Sequence, residues 1–178
     1  IHTSSKSSLY LMEKALPYLH EPTRFSQEIN NIAYQLSVPA SWIMAVIYSE
    51  SRFDANVYNH KGSGAVGLIQ FMPKTAQELG VSSFSLSQMT ASEQLTYVYK
   101  YFKKVKARYG SYQNLADFYL AVLYPKARGK DFCYTLYARP STSYKQNSGL
   151  DENRDGAVTV SDIHLRMKRL FPDAYNEY

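Results

Sequence analysis

The chain has a single cysteine, Cys133, which excludes an internal disulfide and any cysteine-built metal cluster. No activating partner stands near it in sequence, so Cys133 is expected as a small buried apolar residue rather than a nucleophile. Long hydrophobic runs are missing too: none approaches the ~20 residues of a membrane span, and no signal-peptide pattern precedes the first helical segment. Alternating apolar and polar runs and Asn-Gly hairpin turns are absent, which argues against a sheet-built fold. The charge balance is mild, +5 spread along the chain, which favours a polyanionic partner only weakly, and nucleic acid, one option among several, is not the expected one. The four histidines, at 2, 20, 60 and 164, show no metal-ligand spacing. His60 is read as a surface loop residue.

What is present suits one globular domain, or one domain with a small appendage. Apolar residues make up 45% and charged residues 20% of 178, enough to bury a sizeable core. The 17 tyrosines are an excess, and a ring with a hydroxyl serves a groove for sugar or peptide as readily as a core rim.

Helical periodicity dominates. Leu9 to Leu36 reads as helix interrupted by Pro17 and Pro22, with Phe25, Ile29, Ile32 and Leu36 on one face and an end near Ser37. Pro39 opens a helix over 40–52. A Gly- and Asn-rich loop covers 54–67, and "PKTAQELG" carries Pro at a helix start and Gly at its end. Leu95, Val98, Phe102, Val105 and Tyr109 form a stripe ended by Gly110, with lysines mostly off it on a solvated face. A strongly apolar helix over 112–124 stops at Pro125. The fold class is mainly α, packed around 40–52 and 112–124.

One residue breaks the pattern. Ile43, Val46 and Ile47 precede Glu50 by seven, four and three residues, so a carboxylic acid shares the core-facing side of its helix. Arg52, two positions on, faces away. An acid so placed is an edge-of-core or paired charge, or it keeps its proton and can serve as a general acid. Glu50 and Ser51 run into "HKGSGAVGLIQFMP", where Gly62, Gly64 and Gly67 allow close backbone approach to a ligand and Gln70 offers an amide.

This stretch, "IMAVIYSESRFDANVYNHKGSGAVGLIQFMPKTA", resembles the signature of the soluble lytic transglycosylases, lysozyme-like enzymes that cut peptidoglycan. A helix ending in Glu-Ser is followed by Gly64-Ala65-Val66-Gly67-Leu68-Ile69-Gln70-Phe71-Met72-Pro73, with Ile69 where that family has Met and a spacing about two residues longer. The resemblance covers roughly residues 25–130. It implies a lysozyme-like helical domain over 1–148 and cleavage between N-acetylmuramic acid and N-acetylglucosamine with a 1,6-anhydro product. Glu50 is implied as general acid and base, with Ser51, Gln70 and Gly67 at the substrate. The third family motif, Ala-Tyr-Asn, is matched best at Leu120–Pro125. It assigns Tyr124 to hold the catalytic carboxyl, with Pro125 in place of Asn and Tyr119 as the other candidate. A hydrolytic muramidase would need a second carboxylate beside a water, for which Asp54, Asp117 and Asp131 are available. Asp117 stands seven residues before Tyr124, or is a helix-surface acid favoured by the dipole. A catalytically idle glycan-binding or virion protein is the remaining alternative.

"DENRDGAVTVSD", residues 151–162, matches an EF-hand loop at Asp151, Asn153, Asp155, Gly156, the Ala157 carbonyl and Asp162, with Asp for the usual Glu at the last position. A helix follows, the entering segment "TSYKQNSGL" is a poor helix, and no second hand is present. The expectation is one structural Ca²⁺ holding 149–178 on the domain, with no cofactor needed for the chemistry. The expected partner is the peptidoglycan glycan strand, met by a monomer that is periplasmic, secreted or virion-associated.

Overall fold

A computed structural model of the chain describes residues 8–59 and 61–177; His60, read above as a loop residue, lies outside them. The chain divides into two compact units, one running through Tyr101 and one from Phe102. Almost all regular structure is helical, which is the mainly α class expected.

The first unit holds α1 (Met12–Ala15), α2 (Pro22–Leu36), α3 (Ala40–Ser51), α4 (Pro73–Glu78), α5 (Ser83–Ser87) and the start of α6 (Ala91–Tyr109). Pro22 opens α2, where a missing N–H costs nothing. Ser37 closes it in the left-handed conformation, with the amides of Ser37 and Val38 donating to the carbonyls of Tyr34 and Ala33. The α2 stripe predicted from spacing is buried and lies against α3. Every residue of α3 from Ser41 to Ile47 is buried, so this helix is core on all sides rather than amphipathic. Among the described residues no single helix is long and apolar enough to cross a membrane.

The second unit takes the rest of α6, then α7 (Leu115–Leu123), β1 (Thr135–Ala138), α8 (Thr142–Asn147), β2 (Ala157–Thr159), α9 (Val160–Leu170) and α10 (Pro172–Asn176). Gly110 ends α6 at φ 93°, and the Asn114 side chain caps α7 by accepting from the Asp117 amide at 2.7 Å. Phe102 stacks on Phe118 with centroids 4.2 Å apart. Tyr112 meets both rings edge-on and donates its hydroxyl to the Phe102 carbonyl at 2.6 Å. Both α9 and α10 lie against α7, so residues 149–178 share their unit with it.

Four expectations need correction. The helix read over 112–124 begins at Leu115, because Asn114 takes the cap and Tyr112 turns its ring into the aromatic cluster. A two-stranded antiparallel sheet exists, pairing Tyr137 with Val158 and Ala138 with Ala157. Its strands are four and three residues long, too short for an alternating signal to register. The segment "TSYKQNSGL" does enter the loop as a helix: Ser141 caps α8 by accepting from the Tyr144 amide at 3.0 Å. Cys133 is exposed rather than buried, since it stands in a turn whose amide donates to Asp131 Oδ1 at 3.1 Å.

Candidate active site

In the first unit, the core helix α3 delivers Glu50 to the surface. Ile43, Val46 and Ile47 have no exposed area. Glu50, one turn further on the same side, is partly exposed. Arg52 and Phe53 then adopt the left-handed conformation, at φ 53° and 68°, which costs roughly 1–2 kcal/mol for each non-glycine residue. Burial of the Phe53 ring, worth about 2–3 kcal/mol, offsets it: the ring has no exposed area and packs on Phe25 and Tyr48. The sharp exit from α3 directly after Glu50 and Ser51 is therefore locked by one aromatic anchor.

Ser51 braces the two motifs together. Its hydroxyl donates to the Leu68 carbonyl at 2.8 Å and to the Ile47 carbonyl at 3.1 Å. Its proton is thus committed to backbone rather than left open to a ligand. Across this brace the glycine-rich segment folds as a narrow turn: Val66 and Phe71 exchange backbone hydrogen bonds of 3.0 and 2.8 Å, and the Gly67 amide donates to the Val57 carbonyl at 3.0 Å. Gln70 sits in the turn at φ 55°. Its Nε2 donates to the carbonyls of Gly67 and Val57 at 3.0 and 3.2 Å. With both amide protons spent on the loop, the group Gln70 offers a ligand is the acceptor Oε1.

Two residues that sequence reading passed over hold this loop from behind. Gln94 of α6 has no exposed area. Its Oε1 accepts from the Leu68 amide at 2.9 Å, and its Nε2 donates to the carbonyls of Ala55 and Leu86. The signal was there, since Gln94 lies four residues before Val98 and eight before Phe102 on the apolar stripe. Asn56 ties the loop to the α5 end through Nδ2 to the carbonyls of Ser87 and Met89, at 2.6 and 3.1 Å. Gly67 is explained by the same packing. At φ 89° it favours glycine, and a Cβ would stand 2.5 Å from Gln94 Oε1, so its close approach is to Gln94.

In the second unit, Tyr119 is buried within α7, and Tyr124 follows it as the C-cap at φ −159° and ψ 80°. Because Tyr124 has left the helix, helical spacing from Asp117 does not fix its direction. Its ring packs edge-on against Tyr137 at 5.6 Å. Asp117 is no surface acid. Its oxygens take Arg128 Nε at 2.9 Å, Arg128 Nη2 at 3.0 Å and the Gln113 amide at 2.9 Å. Breaking such a buried pair from one side leaves an uncompensated charge. Asp54 and Asp131 each cap a turn through the amides of Asn56 and Cys133. Of the three carboxylates considered for a water, Asp117 has both oxygens committed, while Asp54 and Asp131 each accept one amide through Oδ1.

The loop at 151–162 is closed by its own hydrogen bonds. Asp151 accepts from the amides of Asp155 and Gly156 and from the Tyr144 hydroxyl, the last at 2.7 Å. Asp162 completes a capping box with Thr159 and accepts from the Glu152 amide at 3.0 Å. Asn153 and Asp155 are exposed and bonded to each other, and the Ala157 amide donates to Asp155 at 3.1 Å. The donors are all oxygens, as a hard cation requires. Among the described residues, however, no three of His, Cys, Asp and Glu converge on a point.

This unit should respond to acid. Burial pushes the Asp151 carboxyl up, but the Tyr144 hydroxyl and the loop amides outweigh it and hold the group below its ordinary value. The Arg169 guanidinium does the same for Glu152. Unfolding frees both acids to bind protons near pH ~4, so their contribution is whole above that pH and is lost as pH falls through the lower folded values. His164 acts earlier and in the same sense. Burial lowers it, against the pull of Asp117, so the unfolded chain gains a proton below pH ~6.5 that the folded one resists. Thermal melts from about pH 8 to about pH 3 are expected to show Tm falling first below ~6.5 and more steeply below ~4. His164→Asn should remove the first step, and a Tm that rises on acidification would contradict the account.

Comparison with known proteins places the first motif pair and α7 up to Val122 inside one match: the family model described as Transglycosylase SLT domain covers residues 27–122.

Proposed function

The chain belongs to the transglycosylase SLT family, with its mainly α, lysozyme-like fold, and from that premise we propose that it cleaves peptidoglycan glycan strands with Glu50 as the proton-transfer group. The observation that carries this reading is the Ser51–Leu68 hydrogen bond of 2.8 Å. It fixes the Glu50 end of α3 to the glycine-rich turn, joining the two motifs through one contact.

The chemistry runs as follows in this proposal. The Glu50 carboxyl gives its proton to the glycosidic oxygen between N-acetylmuramic acid and N-acetylglucosamine. As the C1–O bond breaks, its electron pair leaves with that oxygen, and the substrate's acetamido oxygen closes on C1. The Glu50 carboxylate then takes the proton of the muramic 6-hydroxyl, O6 attacks C1 and displaces the acetamido oxygen, and a 1,6-anhydro ring forms. Protons balance, no water enters, and one protein carboxylate suffices. Gln70 Oε1 suits an acetamido N–H, because an acceptor is the group it has left to offer. Ser51 and Gly67 act through the shape of the turn. The commitment of both Asp117 oxygens to Arg128 and the Gln113 amide argues against Asp117 as the second carboxylate that a hydrolytic reaction uses to position a water. A substrate of this kind places the protein in the periplasm, outside the cell or on a virion.

Digestion of purified sacculi with mass analysis of the products tests the reading. Anhydro-muropeptides are expected. Reducing-end products would replace the proposal by hydrolysis, and glycan binding with no product would leave an idle binding protein.

We also assign a structural Ca²⁺ to the loop, which Asp151, Asn153, Asp155, the Ala157 carbonyl and Asp162 would hold, the ion supplying order rather than chemistry. Millimolar Ca²⁺ should raise Tm and a chelator lower it, with cleavage unchanged wherever the fold survives. Tm indifferent to both would remove the ion.

A further inference from the structure

The excess positive charge of the chain is not shared between the units. Residues 1–101 carry seven Lys and Arg against seven Asp and Glu, and residues 102–178 carry 13 against eight, so the whole +5 lies in the second unit. Within it the excess is narrower still: nine cations stand between Phe102 and Leu150, against Asp117 and Asp131 alone. Asp117 is committed to Arg128, and Asp131 caps a turn. The cleavage chemistry uses none of these cations.

The fold gathers five of them into a row. Lys103, Lys104 and Arg108 are exposed on α6, around the side away from buried Phe102 and Val105. Lys104 and Arg108 stand one helical turn apart. At the C-terminal end of that helix, Arg128 Nη2 donates to the carbonyls of Gly110 and Ser111 at 3.0 Å each, which seats there the segment bearing exposed Lys126 and Lys130. Tyr109, Gly110 and Lys130 accordingly line one cavity. The helix dipole accounts for a cation in the last turn of α6, but not for Lys103, Lys104 or the two on the following segment.

A row of cations, unlike a single pocket, suits a chain that bears an anion on each repeat. What surrounds the row decides between kinds of polyanion. Among the described residues of α6 there is no exposed large apolar side chain, whereas a helix that settles into a lipid surface needs an apolar face beside its basic one. Single-stranded nucleic acid is held by successive rings that stack its bases. Near Lys130 the exposed ring is Phe132, which meets His164 edge-on at 4.9 Å and offers one stacking surface rather than a series. We propose that this row docks a linear phosphodiester polymer without bases, joined to the glycan strands that the protein cleaves. The choice of that source rests on the cleavage reading; the affinity for the polymer does not.

Calorimetric titration of the full chain with poly(glycerol phosphate) tests the row without any cleavage. A Kd of about 10⁻⁵ M is expected at about 50 mM salt, weakening roughly 30-fold at about 200 mM. Lys103→Ala, Lys104→Ala and Arg108→Ala together should raise Kd about tenfold or more and flatten the slope of log Kd against log salt by about two. Lys14→Ala, Lys61→Ala and Lys74→Ala together remove the same charge from the first unit and should leave Kd within about twofold. Lys126→Ala with Lys130→Ala should give a smaller loss, and keeps the test decisive where the α6 variant does not fold. No saturable binding at about 50 mM salt overturns the proposal, as does equal weakening by the two triple variants. Tighter binding of phosphatidylglycerol vesicles, or of an oligothymidylate with the same number of phosphates, overturns the choice of polymer. Cleavage assigns the source: on walls that keep such a polymer the α6 variant should show a severalfold higher KM at unchanged kcat, and on the same walls stripped of it by hydrofluoric acid no difference. A KM effect that is the same on both preparations overturns that source, and absence of cleavage on either, with binding intact, overturns the cleavage reading alone.

Discussion

Glu50→Gln is expected to reduce release of anhydro-muropeptides from sacculi by about 10³-fold, the scale of losing a general acid–base group, while leaving Tm within a few degrees. The substitution keeps the shape of the side chain and removes only its transferable proton. Glu50 sits partly exposed at the end of α3, and the packing beneath it belongs to Ile43, Val46 and Ile47, none of which the change touches. Activity and stability should therefore separate cleanly. Cleavage persisting at an ordinary rate in a folded Gln variant would remove Glu50 from its role and, with it, the mechanism. A variant that lost cleavage and unfolded together would show instead that the carboxyl is structural.

Gln94→Ala should be the most destabilising single polar change in the first unit. It strands the Leu68 amide and the Ala55 carbonyl, each in a buried place, while the Leu86 carbonyl keeps the Met89 amide. At roughly 1–3 kcal/mol per orphaned group, with relaxation reducing the sum, a loss of about 3–4 kcal/mol is expected in denaturant unfolding. Gly67→Ala approaches the same interaction from the other side. Its Cβ would meet the Gln94 amide at 2.5 to 3.1 Å while the backbone is held at φ 89°, for a cost of about 3 kcal/mol. The two effects share a cause, so they should not add. In the Gln94→Ala background the cost of Gly67→Ala should shrink by roughly 1–2 kcal/mol, leaving mainly the backbone strain. Full additivity would show that the collision with Gln94 is not what excludes a side chain at 67.

The helical frame could be read from the sequence because its signals are local. Phe25, Ile29, Ile32 and Leu36 repeat at helical spacing, Pro22 and Gly110 mark ends, and all are where spacing predicted. The Glu50–Ser51 pair and the Gly64–Pro73 segment were legible for the same reason: each is contiguous. What spacing could not supply is which distant group closes on which. Gln94 reaches Leu68 across 26 residues and Ala55 across 39, and its place on the apolar stripe tells that it faces the core but not which groups it meets there. Asp117 shows the converse. Its place in the first turn of α7 suggested a dipole-favoured surface acid, but Arg128, 11 residues on, turns it into half of a buried pair. The small sheet escaped because strands of four and three residues carry no period.

The turn that leaves Cys133 exposed has a practical consequence. As the only thiol in the chain, and standing at the surface, it can be alkylated or given a fluorophore at one defined position without touching the cores around Phe53 or Phe118. Under oxidising conditions it can pair only with a thiol of another molecule. Two copies joined at Cys133 would run as a covalent dimer that a reductant dissolves, so size measurements made without reductant would report the oxidation state of the sample rather than an assembly of the protein.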